Sequence, residues 1–166
     1  MILIKNVLVA TDFSETSDVA LDYGREIART FSATLHVVHV ADSVYLAFGG
    51  ESYSTALPEL QQDVEQAART QLERVITQED RTALHAQAVI VTDVAKAPAI
   101  IDYAHSHDID VIVMGTHGRG GVSHLLMGSV AERVVRTATC PVLTVHHPER
   151  EFVAPDALVA VTRARA

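Results

Sequence analysis

The chain lacks most of what would bind a polyanion, close a disulfide or cross a bilayer. Its 166 residues hold 13 Lys and Arg against 21 Asp and Glu, a formal charge of −8. Such a surface repels nucleic-acid phosphates and anionic lipid at long range. There is one cysteine, Cys140, so no intrachain disulfide forms and nothing points to an oxidising compartment. Cys140 stands in Thr139-Cys140-Pro141 with no basic run beside it, and a buried structural thiol is expected. No apolar stretch approaches the roughly 18 residues that span a membrane. Met1-Ile2-Leu3-Ile4-Lys5 shows no basic leader, apolar segment and cleavage site, so a cytoplasmic location is expected.

Aromatic residues are also scarce: no Trp, and four each of Phe and Tyr. None lies in the glycine-rich loop described below, which argues against a flavin stacked there. Three catalytic or nucleotide motifs are missing as well: the P-loop G-x-x-x-x-G-K-[ST], the dinucleotide fingerprint G-x-G-x-x-G and the hydrolase elbow G-x-S-x-G. What is present is 48% apolar and 20% charged, ordinary composition for one domain with a sizeable core.

Short β-branched runs alternate with amphipathic stretches. Ile2–Val9 is apolar apart from Lys5 and Asn6, as suits a strand buried on both faces of a parallel sheet. From Ser14, a helix N-cap by type, the period lengthens: Ala20, Gly24, Ile27, Ala28 and Phe31 form one helical stripe. Thr34–Val40 reads as a second strand. Pro58 opens a second helix with Leu60, Val64, Ala67, Ala68, Leu72 and Val75 inward. Leu84–Val91 is a third strand, and Pro98 opens a third helix carrying Ile100, Ile101 and Ala104. Asp110–Met114 is a fourth strand, Val130, Ala131, Val134, Val135 and Ala138 trace a fourth helix, and Pro141–Val145 is the fifth strand.

Strict alternation of this kind predicts an α/β three-layer sandwich. Its five-stranded parallel sheet, in order 3-2-1-4-5, is flavodoxin-like or Rossmann-like. Residues 42–57 read as a long mobile loop, and 147–166 as a tail that is disordered or packed on a partner.

Ligands of such sheets bind beyond the carboxyl ends of the strands where the winding reverses. That places Ala10-Thr11-Asp12-Phe13-Ser14, after the first strand, beside Met114-Gly115-Thr116-His117-Gly118-Arg119, after the fourth. Five of the eight glycines fall between positions 115 and 128. Glycine lets backbone approach a ligand closely and lets amides face inward as an anion nest. A helix starting near Gly128-Ser129 adds N–H donors and a positive dipole end. Asp12 suits ribose hydroxyls; His117 and Arg119 are candidates for phosphate contact, or plain exposed loop residues.

Gly115-x-x-Gly118, nine residues, then Gly128-Ser129 resembles the nucleotide-binding signature of the universal stress protein family. The flanks agree: Asp110-Val111-Ile112-Val113-Met114 before it, and Ser129-Val130-Ala131-Glu132-Arg133-Val134-Val135 and Cys140-Pro141-Val142-Leu143 after it. The opening Val7-Leu8-Val9-Ala10-Thr11-Asp12-Phe13-Ser14 and the strand Leu35-His36-Val37-Val38-His39-Val40 are similar too. The likeness covers residues 1–146, read as one nucleotide-binding domain.

The resemblance implies that Asp12 meets the ribose and the Val40 backbone meets adenine. It also implies that Gly115, Gly118, Gly128, Ser129 and the Val130 amide hold phosphates. It implies ATP, with Mg2+ or Mn2+, in a regulatory stress-response protein. A homodimer, or a dimer of dimers, through Val142–Val145 is implied with it. Bound ATP is expected to tie down residues 42–57 and so alter the surface offered to a partner. One departure is Ala95-Lys96-Ala97-Pro98, where relatives often carry Gly before the Pro.

The nine histidines show no zinc-site spacing. His36 and His39, three apart on a strand, face opposite sides. The alternatives to regulation are a slow ATPase, for which Asp12 is the sole evident base, and a dimeric interaction module without nucleotide.

Overall fold

The computed structural model describes residues 1–47, 57–117 and 127–146. The Gly118 and Arg119 expectations, most of the 42–57 loop and the tail from 147 lie outside them. The elements run β1 (Asn6–Ala10), α1 (Glu15–Phe31), β2 (Thr34–Ala41), α2 (Val44–Ala47), α3 (Leu57–Val75) and α4 (Gln78–Ala83). They continue with β3 (Gln87–Thr92), α5 (Lys96–Ser106), β4 (Val111–Gly115), α6 (Ser129–Thr137) and β5 (Val142–Val145). The five strands form one parallel sheet in the order β3-β2-β1-β4-β5. The expected order therefore holds, and the winding reverses between β1 and β4.

The central strands are largely apolar because helices cover both faces. Val7, Val9, Leu35, Val37 and Val113 pack on α1 and the end of α3, with Ala20, Leu21, Ala28 and Leu72. Leu8, Ala10, Val38, Ile112 and Met114 pack on α5 and α6, with Ile100, Ala104, Ala131 and Val134. Leu8, Leu35, Leu72 and Ile112 are fully buried, each contributing about 1.5–3 kcal/mol by leaving water. Cys140 is half-buried against the second cluster, where burial pushes its thiol pKa up.

Several expected boundaries move. Ile2 and Leu3 are exposed, and β1 begins at Asn6, where the Asp110 carboxylate accepts from the Lys5 and Asn6 amides at 2.7 and 2.9 Å. Leu84 does not begin β3: it caps α4, a helix the periodicity did not show, and its side chain enters the core. The Pro58 helix begins one residue earlier, at Leu57, and the Pro98 helix two earlier, at Lys96. Leu60 and Val135 face solvent rather than the core. Gln61 is buried in place of its neighbour Leu60, its Oε1 accepting from the Val44 amide at 2.9 Å. That bond anchors α2, a short helix inside the expected loop.

α4 is fixed from both ends of its capping box. Thr77 accepts from the Asp80 amide, and Asp80 accepts from the Thr77 amide. Arg25 of α1 clamps the same buried carboxylate, Nε to Oδ1 at 3.0 Å and an Nη to Oδ2 at 2.8 Å. Burial alone would raise the Asp80 pKa, but the Arg25 and Thr77 bonds outweigh it and hold it below the ordinary value.

Candidate functional site

The carboxyl ends of β1, β2 and β4 open into one cavity of about 750 Å3. Cofactor sites commonly measure about 300–1,000 Å3. Ala10, Thr11, Asp12 and Val40 line it from β1 and β2. Met114, Gly115 and His117 line it from β4, and Gly128, Ser129 and Val130 from the start of α6. Ten of the sequence-predicted positions are thus brought together, and the other two, Gly118 and Arg119, fall outside the described residues.

The β1 side is a turn closed on itself. Phe13 adopts φ 62°, a left-handed conformation that costs a non-glycine residue of order 1–3 kcal/mol. The strain is held by local bonds: Phe13 N–H donates to Thr11 Oγ1 at 3.0 Å, and the Phe13 ring packs on His39 at 4.4 Å between centroids. His39 Nδ1–H donates to the Thr11 carbonyl at 2.9 Å. His36, on the other face of β2, instead contacts Tyr103 Oη at 2.9 Å. Burial, and then the neighbouring His107, lowers its pKa.

The turn delivers Ser14 as the N-cap of α1, as expected, its hydroxyl accepting from Ser17 N–H at 3.3 Å. Asp12 Oδ1 accepts from both the Ser14 hydroxyl, at 2.6 Å, and the Ser14 amide, at 3.2 Å. Glu15 and Asp18 add negative charge in the first turn. Burial, then Asp22, raises the Asp18 pKa.

The β4 side is open. Gly115 lets the end of β4 lie against α1: a Cβ there would stand 2.8 Å from Thr16 Cγ2 and 3.2 Å from the His117 carbonyl. Gly128 folds back on the same stretch, its N–H donating to the Thr116 carbonyl at 2.7 Å; a Cβ on it would meet that oxygen at 3.1 Å. Gly128 is also the N-cap of α6, and among the described residues no side chain caps that helix. Beside it, His117 Nε2 is buried without a hydrogen-bond partner among the described residues. A polar atom left dry and unpaired is costly unless something else meets it.

Two features fit an anion-bearing ligand: a helix start lining the cavity that no described side chain caps, and a buried ring nitrogen without a partner among the described residues. Among the described residues no group of three or more His, Cys, Asp or Glu forms a metal-binding cluster. Sequence reasoning did not foresee the wall supplied by α3 (Val64, Ala68 and Gln71), nor Phe13, His39 and Met127. It also missed the rim pair of Lys96 Nζ and Asp42 Oδ1 at 3.2 Å. The inward stripe of α3 was readable; that its upper part would face a cavity rather than the sheet was not.

The sequence model of the universal stress protein family matches residues 3–146. The chain belongs to this family. It is 32% identical over 150 residues to a universal stress protein of Methanocaldococcus jannaschii (MJ0531), covering 90% of this chain and 86% of that protein. It is 35% identical over 143 residues to universal stress protein A homolog 1 of Coxiella burnetii, covering 85% and 95%. In structure it is similar to the family's UspA from Lactobacillus plantarum, with TM-score 0.72, 27% identity and 87% and 99% coverage. Two family structures share the fold at TM-score 0.56. One is in complex with cAMP (23% identity, coverage 87% and 98%). The other, from Archaeoglobus fulgidus, is in complex with dAMP (22% identity, coverage 87% and 99%). No described helix is long and apolar enough to cross a membrane.

Proposed function

We propose that this chain is a regulatory nucleotide-binding protein whose ligand is an adenine nucleotide, ATP by preference. The observation that carries the reading is the start of α6, which no described side chain caps and which lines the cavity at the β1/β4 switch point. Free first-turn N–H groups and the positive helix end form an anion site without any lysine. The family structures with cAMP and dAMP support adenine as the base.

In this reading Gly115, Gly128, Ser129 and the Val130 amide hold the phosphates, joined by Gly118 and Arg119. Asp12, with Ala10 and Thr11, faces the ribose. The Val40 backbone and Met114 border adenine. Mg2+ or Mn2+ arrives on the phosphates, since Mg2+ usually binds through phosphate oxygens and few protein ligands. Bound ATP bridges β1, β2 and α6 and alters the surface shown to a partner, by no more than its difference in affinity between the two states. Hydrolysis forms no part of the proposal: Asp12, the base the sequence offered, has Oδ1 engaged by Ser14.

The chain pairs with a second copy through β5, Val142–Val145. β5 is an edge strand with Leu143 partly exposed, and pairing removes an edge that would otherwise invite aggregation.

Isothermal titration with MgATP tests the ligand. Saturable binding in the micromolar to low-millimolar range is expected, and absence of heat with freshly purified, nucleotide-free protein overturns it. Light scattering tests the pairing, where a monomer mass contradicts it.

A further inference from the structure

Thr116 and His117 line the cavity, and the Thr116 hydroxyl is shared between His117 and His146, which lies outside the lining. Thr116 Oγ1 lies 3.0 Å from His117 Nδ1 and 3.3 Å from His146 Nδ1. The two rings meet edge to face at 5.6 Å. His117 turns away from this bond its buried Nε2, which has no partner among the described residues, whereas His146, the residue after β5, is exposed. The same stretch is tied by its backbone, with Thr116 N–H donating to the Val145 carbonyl at 2.7 Å.

A hydroxyl has one proton and two lone pairs, so when Thr116 donates to one imidazole it can only accept from the other. With both rings neutral and the Thr116 proton given to one of them, there are two arrangements. In the first, Thr116 donates to His117 Nδ1, His117 carries its proton on Nε2, and His146 carries its own on Nδ1. In the second, every member is reversed: His117 is protonated on Nδ1, its Nε2 is a bare lone pair, and His146 is protonated on Nε2. A phosphate oxygen only accepts hydrogen bonds, so it is compatible with the first arrangement and repelled by the second.

We infer that His117 Nε2–H is a side-chain donor to the bound anion, and that Thr116 and His146 are positioning residues that fix its proton. Occupancy by phosphate therefore sets the tautomer of His146 at the end of β5, through Thr116. The solvent-exposed ring adopts either tautomer at little cost, so the relay costs the binding site little.

This inference rests on the proposed nucleotide reading, and one paired experiment separates the two. The full chain, 15N-labelled at histidine, is studied at about pH 8, above the ordinary imidazole value of about 6.5. Ring-nitrogen shifts are recorded by NMR and affinity by calorimetry on the same sample. MgATP is expected to move His146 toward the Nδ1–H form, and adenosine to leave it in place. In Thr116→Val, and in His117→Ala, bound MgATP is expected to leave His146 unmoved. MgATP that binds without changing the His146 tautomer, or a response that survives in both variants, overturns the relay alone. MgATP that does not bind overturns the nucleotide reading and the relay with it.

Discussion

Two helices begin at the switch point, one on each face of the sheet, and they are finished differently. α1 starts on Ser14, whose hydroxyl caps the first turn while Asp12 holds the hydroxyl, and Glu15 and Asp18 neutralise the positive end. α6 starts on a glycine, has no side-chain cap among the described residues, and carries only Glu132 as an acid in its first turn. Both follow from adjacent parallel strands, β1 and β4, but pack on opposite faces of the sheet. The difference teaches where an anion belongs. The α1 terminus is capped within the chain, whereas that of α6 has no side-chain acceptor among the described residues, which is where the proposed phosphates are placed. α4 stands at the other extreme, capped reciprocally by Thr77 and Asp80 and clamped by Arg25.

The strongest break in this comparison is at the closed extreme. Asp80→Ala removes the box and leaves Arg25 half-buried without its main partner. It should cost about 3–5 kcal/mol, as does breaking other buried ion pairs, measured by urea unfolding. The same carboxylate predicts an acid limb. Its folded pKa lies below the unfolded value of 3.8, so its stabilisation is complete above that value and is lost as pH falls through the folded value. Asp80→Asn should flatten that limb of the stability–pH curve.

Gly128→Asp gives α6 the cap that α1 has. The carboxylate would occupy the place proposed for phosphate, so MgATP affinity should fall at least about 100-fold, or about 2.7 kcal/mol, by calorimetry. Gly128 already has extended N-cap geometry (φ −61°, ψ 145°), so the fold should survive with a small shift of the Thr116 carbonyl, 3.1 Å from the new Cβ. Undiminished affinity would put the anion elsewhere.

Ser14→Ala opens α1 instead. It should lower stability by about 1 kcal/mol, the usual worth of an N-cap, seen as a lower Tm. Nucleotide affinity should change far less. Ser129→Ala is the smallest change: a few-fold loss of MgATP affinity, about 0.5–1 kcal/mol for one hydrogen bond, with Tm unmoved because Ser129 caps nothing.

Much of this was legible before any coordinates. Near-continuous apolar strands and the 3.6-residue stripes gave the alternation, and alternation restricts a parallel sheet to few windings. Ser14 as a cap and the glycines of 115–128 pointed to the β1/β4 cleft. What escaped notice depends on contacts distant in sequence. α4 is six residues long, too short for a periodic stripe, though Thr77-x-x-Asp80 was a usable capping signal. Leu84 looked like a strand residue because burial alone does not separate a helix cap from a strand. Gln61 outranks Leu60 for burial only because the Val44 amide needs an acceptor there. Asp12 read as a free ribose ligand, and its bonds to Ser14 become visible only once Phe13 turns left-handed.

The asymmetry between the two helix starts is tested most directly by comparing ATP with adenosine on the wild-type protein in calorimetry, at one magnesium concentration and low salt. If the open end of α6 grips the phosphates, ATP binds at least tenfold more tightly, about 1.4 kcal/mol. Equal affinities, or tighter binding of adenosine, would contradict the account.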